Sequence, residues 1–307
     1  MGLGIVFPGQ GAQSVGMLSD IMGEHAGVAR RFEEAGDAIG VDLLAVVTEG
    51  PEADLNRTDI TQPALLTASV ALWDVLQGAG AAPAALSGHS LGEYSALVAA
   101  GAIGFADAVK LVNLRGQLMQ RAVPMGEGAM AAILGLDDAD IASACEATEG
   151  VVTPANFNAP GQVVIAGAKA AVEAAAEACK AAGAKRAVLL DVSVPSHCAL
   201  MSSIAGEFAD ALGAVAMQLP SIPVVQNVNA EAPEDTDALR ANLVAQLASP
   251  VRWTACVQAL QAQGVDQIIE CGPGNVLTGL VKRIDRSLKP QATGTLNGLE
   301  SALESLA

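Results

Sequence analysis

Basic residues are scarce in this chain. Its 307 residues include 16 Lys and Arg against 33 Asp and Glu, which gives a formal net charge of -17. Such a charge repels phosphate groups, so neither nucleic acid nor an anionic membrane surface is expected as a partner. An acidic ligand or partner protein would have to meet a local cluster of basic side chains.

Long apolar runs and paired cysteines are missing as well. No 18 consecutive residues are apolar, and the first residues lack the charged start of a signal peptide, so we expect no membrane segment. The five cysteines are dispersed, odd in number and contain no C-x-x-C pair, which favours free thiols in a reducing cytoplasm. The three histidines are dispersed too, and no metal site is expected.

Short apolar strands alternate with helical segments along most of the chain, a pattern typical of α/β proteins. We predict a large, hydrolase-like domain with a mostly parallel central sheet, formed by residues 1–123 and 197–307. Its predicted strands are 3–7, 84–87, 224–228 and 267–271, and its predicted helices are 64–77, 93–100, 106–123 and 199–212.

The middle of the chain has a different order of predicted strands and helices. Strands are predicted at 129–136, 151–153, 162–166 and 187–194, with a loop at 156–161 and helices at 137–148 and 169–182. The order βαββαβ is that of a ferredoxin-like unit. We therefore predict a small inserted domain at residues 124–196.

A candidate nucleophile lies between a predicted strand and a predicted helix. The segment Gly88-His89-Ser90-Leu91-Gly92 matches G-x-S-x-G, the pattern of a serine on a sharp strand-to-helix turn. At such a turn the hydroxyl is exposed near the free N–H groups of the following helix, which stabilise negative charge. Ser90 is the predicted nucleophile, and Cys198 is the alternative.

A serine nucleophile needs a base, and the few histidines narrow the choice. His89 is adjacent to Ser90 and would point elsewhere, while His25 lies in a polar helical region. His197 follows the last strand of the predicted small domain, where the chain re-enters the large one. We predict that His197 is the base, with Asp191 as one candidate to orient it.

Arg115 lies on the apolar face of the predicted helix 106–123, between Leu111 and Leu118. A buried arginine requires an anionic partner. Either an Asp or Glu of the chain pairs with it, or its planar guanidinium binds a carboxylate of the substrate.

Five segments, in this order, resemble the malonyl-CoA:acyl carrier protein transacylase family of bacterial type II fatty acid synthesis. They are Phe7-Pro8-Gly9-Gln10-Gly11, Gly88-His89-Ser90-Leu91-Gly92-Glu93-Tyr94, Arg115-Gly116, Val194-Pro195-Ser196-His197 and Glu270-Cys271-Gly272-Pro273-Gly274. The similarity extends over nearly the whole chain.

The resemblance implies a ping-pong transfer of malonyl from coenzyme A to the phosphopantetheine thiol of acyl carrier protein through an ester on Ser90. Malonyl-CoA and acyl carrier protein would be the partners, with no permanently bound cofactor. The backbone N–H groups of Gln10 and Leu91 would form the oxyanion hole, and Arg115 would hold the malonyl carboxylate. The backbone carbonyl of Gln246 would orient His197.

The resemblance also implies that Gln62 lies in the same cleft. Since the carrier protein is acidic in this family, docking requires a basic patch. Lys282 and Arg283, followed by Arg286 and Lys289, form the densest basic cluster, and Lys185 with Arg186 forms a second. The alternative is that these are ordinary solvated side chains.

Three other classes of function fit parts of the sequence. A serine thioesterase or esterase would use the same Ser90 and His197, but would release free acid. Gly9-Gln10-Gly11 partly imitates the dinucleotide-binding pattern G-x-G-x-x-G, yet the third glycine is replaced by Ser14. A non-catalytic scaffold would form no covalent acyl adduct.

Overall fold

The computed structural model describes residues 2–190 and 194–306, which form two separate β-sheets and the helices packed on them. The predicted α/β class is confirmed. The strands are β1 Gly2–Phe7, β2 Ala85–Gly88, β3 Gly128–Leu134, β4 Val152–Ala159, β5 Gln162–Ala168, β6 Arg186–Leu189, β7 Val224–Val225, β8 Val265–Glu270 and β9 Lys289–Ala292.

The helices cover both sheets. They are α1 Ser19–Glu24, α2 Ala26–Ile39, α3 Leu43–Glu49, α4 Glu52–Leu55, α5 Thr58–Gly78, α6 Gly92–Ala99, α7 Phe105–Ala122, α8 Asp138–Glu146, α9 Lys169–Ala181, α10 Ala205–Gly213, α11 Thr236–Ala245, α12 Trp253–Ala262, α13 Val276–Ile284 and α14 Leu296–Leu306. Among the helices of residues 2–190 and 194–306, none combines the length and the hydropathy that a transmembrane span requires.

The larger sheet has the strand order β7-β2-β1-β8-β9, and every pair in it is parallel. Side chains alternate along the central strand β1: Ile5 and Phe7 belong to the apolar core on one face, and Val6 to the core on the other. Burial on both faces explains why β1 is almost wholly apolar, as is typical of parallel sheets.

The smaller sheet is antiparallel, with the order β4-β5-β3-β6 that a ferredoxin-like βαββαβ unit produces. Helices α8 and α9 cover one face of it. The predicted loop at 156–161 was wrong, because β4 continues to Ala159 and leaves only a tight turn at Pro160 and Gly161. The domain boundaries at 123/124 and 196/197 stay a prediction.

Helix α5 begins at Thr58, six residues before its predicted start. Pro63 lies inside the helix, where it cannot donate to the carbonyl of Asp59, four residues earlier. That carbonyl accepts instead from Asn113 Nδ2 of α7 at 2.7 Å. The sequence-based boundary failed because a neighbouring helix satisfies the group that proline leaves free.

Further elements differ from the prediction. The predicted helix 199–212 is a 3₁₀ turn, Ala199–Ile204, followed by α10. Strand β7 ends at Val225, because the chain turns at Gln226, whose carbonyl accepts from Ala230 N. Strand β9 was not predicted. Strand β6 ends at Leu189, short of the predicted end at 194, although residues 191–193 lie outside the described residues.

Gly116 allows α5 and α7 to pack closely. A Cβ at this position would lie 2.5 Å from Asp59 Cα and 2.6 Å from the carbonyl oxygen of Thr58. The close approach places the preceding residue, Arg115, against α5, where Gln62 lies.

We therefore expect Gly116→Ala to lower the free energy of unfolding by about 1–3 kcal/mol, because the added methyl group overpacks the α5–α7 contact. Chemical denaturation would measure this. Gly279→Ala is the control: it also lies within a helix but has open space around it, so its stability should stay the same or rise by up to ~1 kcal/mol. Equal stabilities for the two variants would contradict the packing role.

Candidate active site

Ser90 occupies a strained turn between β2 and α6. Its φ is 52°, a left-handed backbone conformation that residues other than glycine rarely adopt. A Cβ on Gly88 would lie 1.9 Å from the carbonyl carbon of Gly92, and one on Gly92 would lie 2.0 Å from the carbonyl oxygen of Phe7. The two glycines of the G-x-S-x-G segment therefore make this sharp turn sterically possible.

Asn227 clamps the turn from the neighbouring strand end. Its Oδ1 accepts from Ser90 N at 2.7 Å, and its Nδ2 donates to the carbonyl oxygen of Gly88 at 2.7 Å. Sequence reasoning missed this buried residue. The sequence placed Asn227 inside a predicted strand at 224–228, whereas β7 ends at Val225 and Asn227 lies beyond the carboxyl end of the strand, where parallel sheets form their sites.

His197 reaches Ser90 from the chain that follows the small sheet. Ser90 Oγ lies 2.7 Å from His197 Nε2, and His197 Nδ1 lies 2.8 Å from the backbone carbonyl oxygen of Gln246. A carbonyl only accepts, so Nδ1 carries the proton and Nε2 is free to accept from the hydroxyl. Asp191, the alternative orienting residue, lies outside the described residues.

The imidazole of His197 is held neutral. Its side chain is almost wholly buried, with 2% of the residue exposed. Burial, and secondly the positive charge of Arg115, lower the pKa of His197 to about 3. The ring can therefore take the Ser90 proton across the physiological pH range.

Arg115 is fully buried next to this pair. Its Nη1 donates to Gln62 Oε1 at 2.9 Å and its Nη2 to Gln246 Oε1 at 3.0 Å, while its Nε has no hydrogen-bond partner. Within the described ranges no carboxylate forms an ion pair with it. The described residues therefore do not form the structural ion pair that was the alternative for Arg115.

Two backbone N–H groups are the predicted oxyanion donors, those of Leu91 and Gln10. Leu91 N lies at the start of α6, and Gln10 N lies in the loop after β1; neither donates to another described residue. That loop packs on the turn, because Gly9 abuts the carbonyl oxygen of His89. Free amides of this kind can stabilise an oxyanion. Gln62 also contacts this loop, since its Nε2 lies 3.4 Å from Gln10 Oε1.

A family model for the acyl transferase domain matches residues 5–300. The malonyl CoA-acyl carrier protein transacylase of Escherichia coli K12 is 58% identical over 302 residues, covering 97% of this chain and 98% of that protein. The chain belongs to the malonyl CoA-acyl carrier protein transacylase family. The predicted family is confirmed, and the protein is an acyltransferase.

Solved structures of transacylases share the fold. The acyl carrier protein S-malonyltransferase of Vibrio cholerae is 56% identical with a TM-score of 0.95, covering 98% of this chain and 99% of that one. A malonyl-transacylase solved in complex with a type II PKS acyl-carrier protein is 53% identical with a TM-score of 0.98, covering 99% of this chain and 100% of that one.

Glu93 is a buried carboxylate of the transacylase site that sequence reasoning missed. It accepts from Gln226 Nε2 at 3.0 Å, from Asn227 N at 2.8 Å and from Gln246 Nε2 at 2.9 Å. Burial raises the pKa of Glu93 to about 7, although these hydrogen bonds oppose the shift. The available signal was a single charged residue in the otherwise apolar or neutral helix α6.

Other candidate residues of the site point elsewhere or are unreactive. His89 Nε2 lies 2.8 Å from Asn158 Oδ1 of the small sheet, so its ring turns away from Ser90. Cys198 is buried, and its thiol donates to the carbonyl oxygen of Pro195 at 3.2 Å. Burial raises the pKa of Cys198, which disfavours the reactive thiolate.

Contacts through the small sheet link the two predicted basic clusters. An open cavity of about 630 Å³ is lined by the first cluster: Lys282, Arg283, Arg286 and Lys289. Arg283 Nη1 donates to Gln162 Oε1 of the small sheet at 2.9 Å. Gln162 pairs with Leu134, which in turn pairs with Arg186, so only the strand β3 separates Gln162 from the second cluster.

The low pKa of His197 predicts how acylation depends on pH. The rate of Ser90 acylation by a neutral ester, p-nitrophenyl acetate, should stay nearly constant from about pH 8 down to about pH 5, because a base with a pKa of about 3 remains neutral there. Stopped-flow release of nitrophenol would measure it, with Ser90→Ala as the blank. A loss of rate centred near the ordinary histidine pKa of about 6.5 that persists in Glu93→Gln, which removes a buried carboxyl group with a pKa of about 7, would contradict a buried neutral imidazole.

Proposed function

We propose that this protein transfers malonyl from malonyl-CoA to the phosphopantetheine thiol of acyl carrier protein, in the cytoplasm, as a step of fatty acid synthesis. The observation that carries the proposal is the double use of Gln246. Its backbone carbonyl holds His197 at 2.8 Å, and its side-chain oxygen accepts from Arg115 at 3.0 Å. One residue thus joins the base that faces Ser90 to a buried guanidinium that lacks a carboxylate.

The first half-reaction forms an ester on Ser90. His197 Nε2 takes the hydroxyl proton while Ser90 Oγ bonds to the thioester carbonyl carbon. The negative charge that develops on the carbonyl oxygen is stabilised by the N–H groups of Gln10 and Leu91. The carbon–sulfur bond then breaks, and the coenzyme A thiolate leaves with the proton from His197.

The second half-reaction runs in the opposite direction. His197 takes the proton of the carrier protein's thiol, the sulfur attacks the ester carbonyl, and Ser90 regains its proton. The proposal requires no permanently bound cofactor, because side chains and backbone amides supply the nucleophile, the base and the oxyanion donors. Coenzyme A enters only as the thioester substrate.

Arg115 gives the proposal its substrate class. Its buried guanidinium has an unpaired Nε and no ion pair within the described ranges, so a carboxylate entering the site would provide the missing partner. An acetyl group would leave that charge unpaired. An acyl chain that bears an acid is therefore favoured, and malonyl is the shortest acyl group of this kind in which a methylene separates the acid from the thioester.

Intact-protein mass spectrometry after brief exposure to malonyl-CoA or acetyl-CoA tests this function. We expect a malonyl adduct that maps to Ser90 and is absent from Ser90→Ala. Arg115→Ala should lower the preference for malonyl over acetyl by ~100-fold, the equivalent of a few kcal/mol for an unpaired buried charge. Arg121→Ala is the control, because Arg121 lies on the same helix in an exposed ion pair with Glu207.

Adding acyl carrier protein separates a transferase from a hydrolase. A transferase moves the label from Ser90 to the carrier protein, whereas a thioesterase or esterase releases free malonate. An adduct on another residue, or free malonate as the main product, would overturn the proposal.

We further propose that the carrier protein docks on the two basic clusters. In support, the cavity lined by Lys282 and Arg283 is joined through Gln162 to the strands that carry Arg186. The chain as a whole has a net charge of -17, so an acidic partner needs such a local positive surface.

Charge reversal tests the docking surface. Lys282→Glu with Arg283→Glu should raise the KM for acyl carrier protein by ~10-fold or more and leave the KM for malonyl-CoA unchanged, because opposite charges guide the encounter. The control is Lys110→Glu with Lys180→Glu, which changes the net charge equally at exposed positions on other helices. Equal carrier-protein kinetics in both double variants would reject this surface.

A further inference from the structure

Glu93 and Arg115 are two fully buried charges that do not touch each other. Both are 0% exposed, and neither forms an ion pair with a described residue. The side-chain amide of Gln246 lies between them. Its Nε2 donates to Glu93 Oε2 at 2.9 Å, and its Oε1 accepts from Arg115 Nη2 at 3.0 Å.

The two ends of this chain of hydrogen bonds fix the orientation of the amide. Glu93 Oε1 and Oε2 face three N–H donors, from Gln226, Asn227 and Gln246, so these contacts fit the ionised carboxylate, which can only accept. A guanidinium can only donate. The Gln246 amide satisfies both only with its NH₂ towards Glu93 and its oxygen towards Arg115. In the opposite orientation each end of the amide would face a like group, and Arg115 would lose an acceptor.

We propose that Glu93 is a positioning residue that sets the preference for an acid-bearing acyl group by acting on Arg115 through Gln246. This inference rests on the proposed function. The negative charge of Glu93 stabilises the buried positive charge of Arg115 across the Gln246 amide that separates them. The oxygen of that amide holds the guanidinium in place. Because Glu93 does not contact Arg115, it does not compete with a substrate carboxylate for the same N–H groups.

Glu93 also supports the Ser90 turn, and this second role must be separated from the first. Its Oε2 accepts from Asn227 N at 2.8 Å, and the Asn227 side chain holds Ser90 N. Damage to the turn would slow acylation by every acyl group alike. The informative quantity is therefore the ratio of kcat/KM for malonyl-CoA to kcat/KM for acetyl-CoA.

Glu93→Gln is the principal variant, because it keeps the shape but adds a donor. The new NH₂ group meets donors only, so it either leaves a bond unmade or turns the Gln246 amide around. We expect the malonyl-to-acetyl ratio to fall by ~10-fold or more, in line with the loss of a buried hydrogen bond to a charged group. In an Arg115→Ala background the same substitution should leave the ratio unchanged, since the residue it acts on is gone.

Glu270→Gln is the matched control. Glu270 is also fully buried, but it accepts from Leu277 N and Thr278 N at the start of α13. Its substitution should leave the ratio at the wild-type value even where it lowers stability. An equal fall of the ratio in both glutamine variants would overturn the inference.

Gln246→Met is the second variant, and it tests the link through the Gln246 amide if Glu93→Gln unfolds below the assay temperature. Methionine removes the amide, while the backbone carbonyl that contacts His197 remains. The side-chain amide also donates to the carbonyl oxygen of Ser90 at 3.2 Å, so its loss slows transfer of both acyl groups. The readout is therefore the malonyl-to-acetyl ratio, which we expect to fall by ~10-fold or more.

Two further results would also overturn the inference: a ratio that stays at the wild-type value in the folded variant, or a fall in the Arg115→Ala background as large as in the wild-type background. Failure of the proposed function is distinguishable from these, because the wild-type protein would then form no malonyl adduct on Ser90.

Discussion

The hydrogen bond between Ser90 Oγ and His197 Nε2 is the contact on which the rest of the site depends. At 2.7 Å it joins a serine in a left-handed turn to a histidine that also has a positive φ, 62°. Strained backbone of this kind persists only where the surroundings fix it. Here Asn227 clamps the turn, and Leu247 accepts from His197 N at 3.1 Å.

A carbonyl, rather than a carboxylate, orients the base. A carboxylate beside Nδ1 would stabilise the imidazolium and raise the pKa of His197, whereas the Gln246 carbonyl opposes the effect of burial only in part. The base therefore starts each half-reaction neutral. The nearby positive charge of Arg115 also lowers the pKa of His197. The group proposed to bind the substrate therefore also keeps the base deprotonated.

The sequence predicted the parts of this site that short patterns encode, and missed the parts that come from tertiary contacts. Ser90 was predictable from two glycines at fixed spacing, and His197 from the scarcity of histidine. The roles of Glu93 and Asn227 depend on contacts between α6 and the ends of the parallel strands, which form only in the folded protein. Pro63 shows the same limit in the fold, because the helix continues through it thanks to Asn113 of another helix. Local patterns carry no information about such partners.

The buried charges explain why the site needs so many neutral amides. Placing Glu93 directly on Arg115 would form a closed ion pair, and a substrate carboxylate would then have to displace it. Gln62 and Gln246 instead give the guanidinium acceptors without a charge, and leave its Nε unpaired. The folded protein thus holds an incompletely satisfied cation that an incoming carboxylate can complete. This arrangement is preorganised for an acid-bearing acyl group before the substrate arrives.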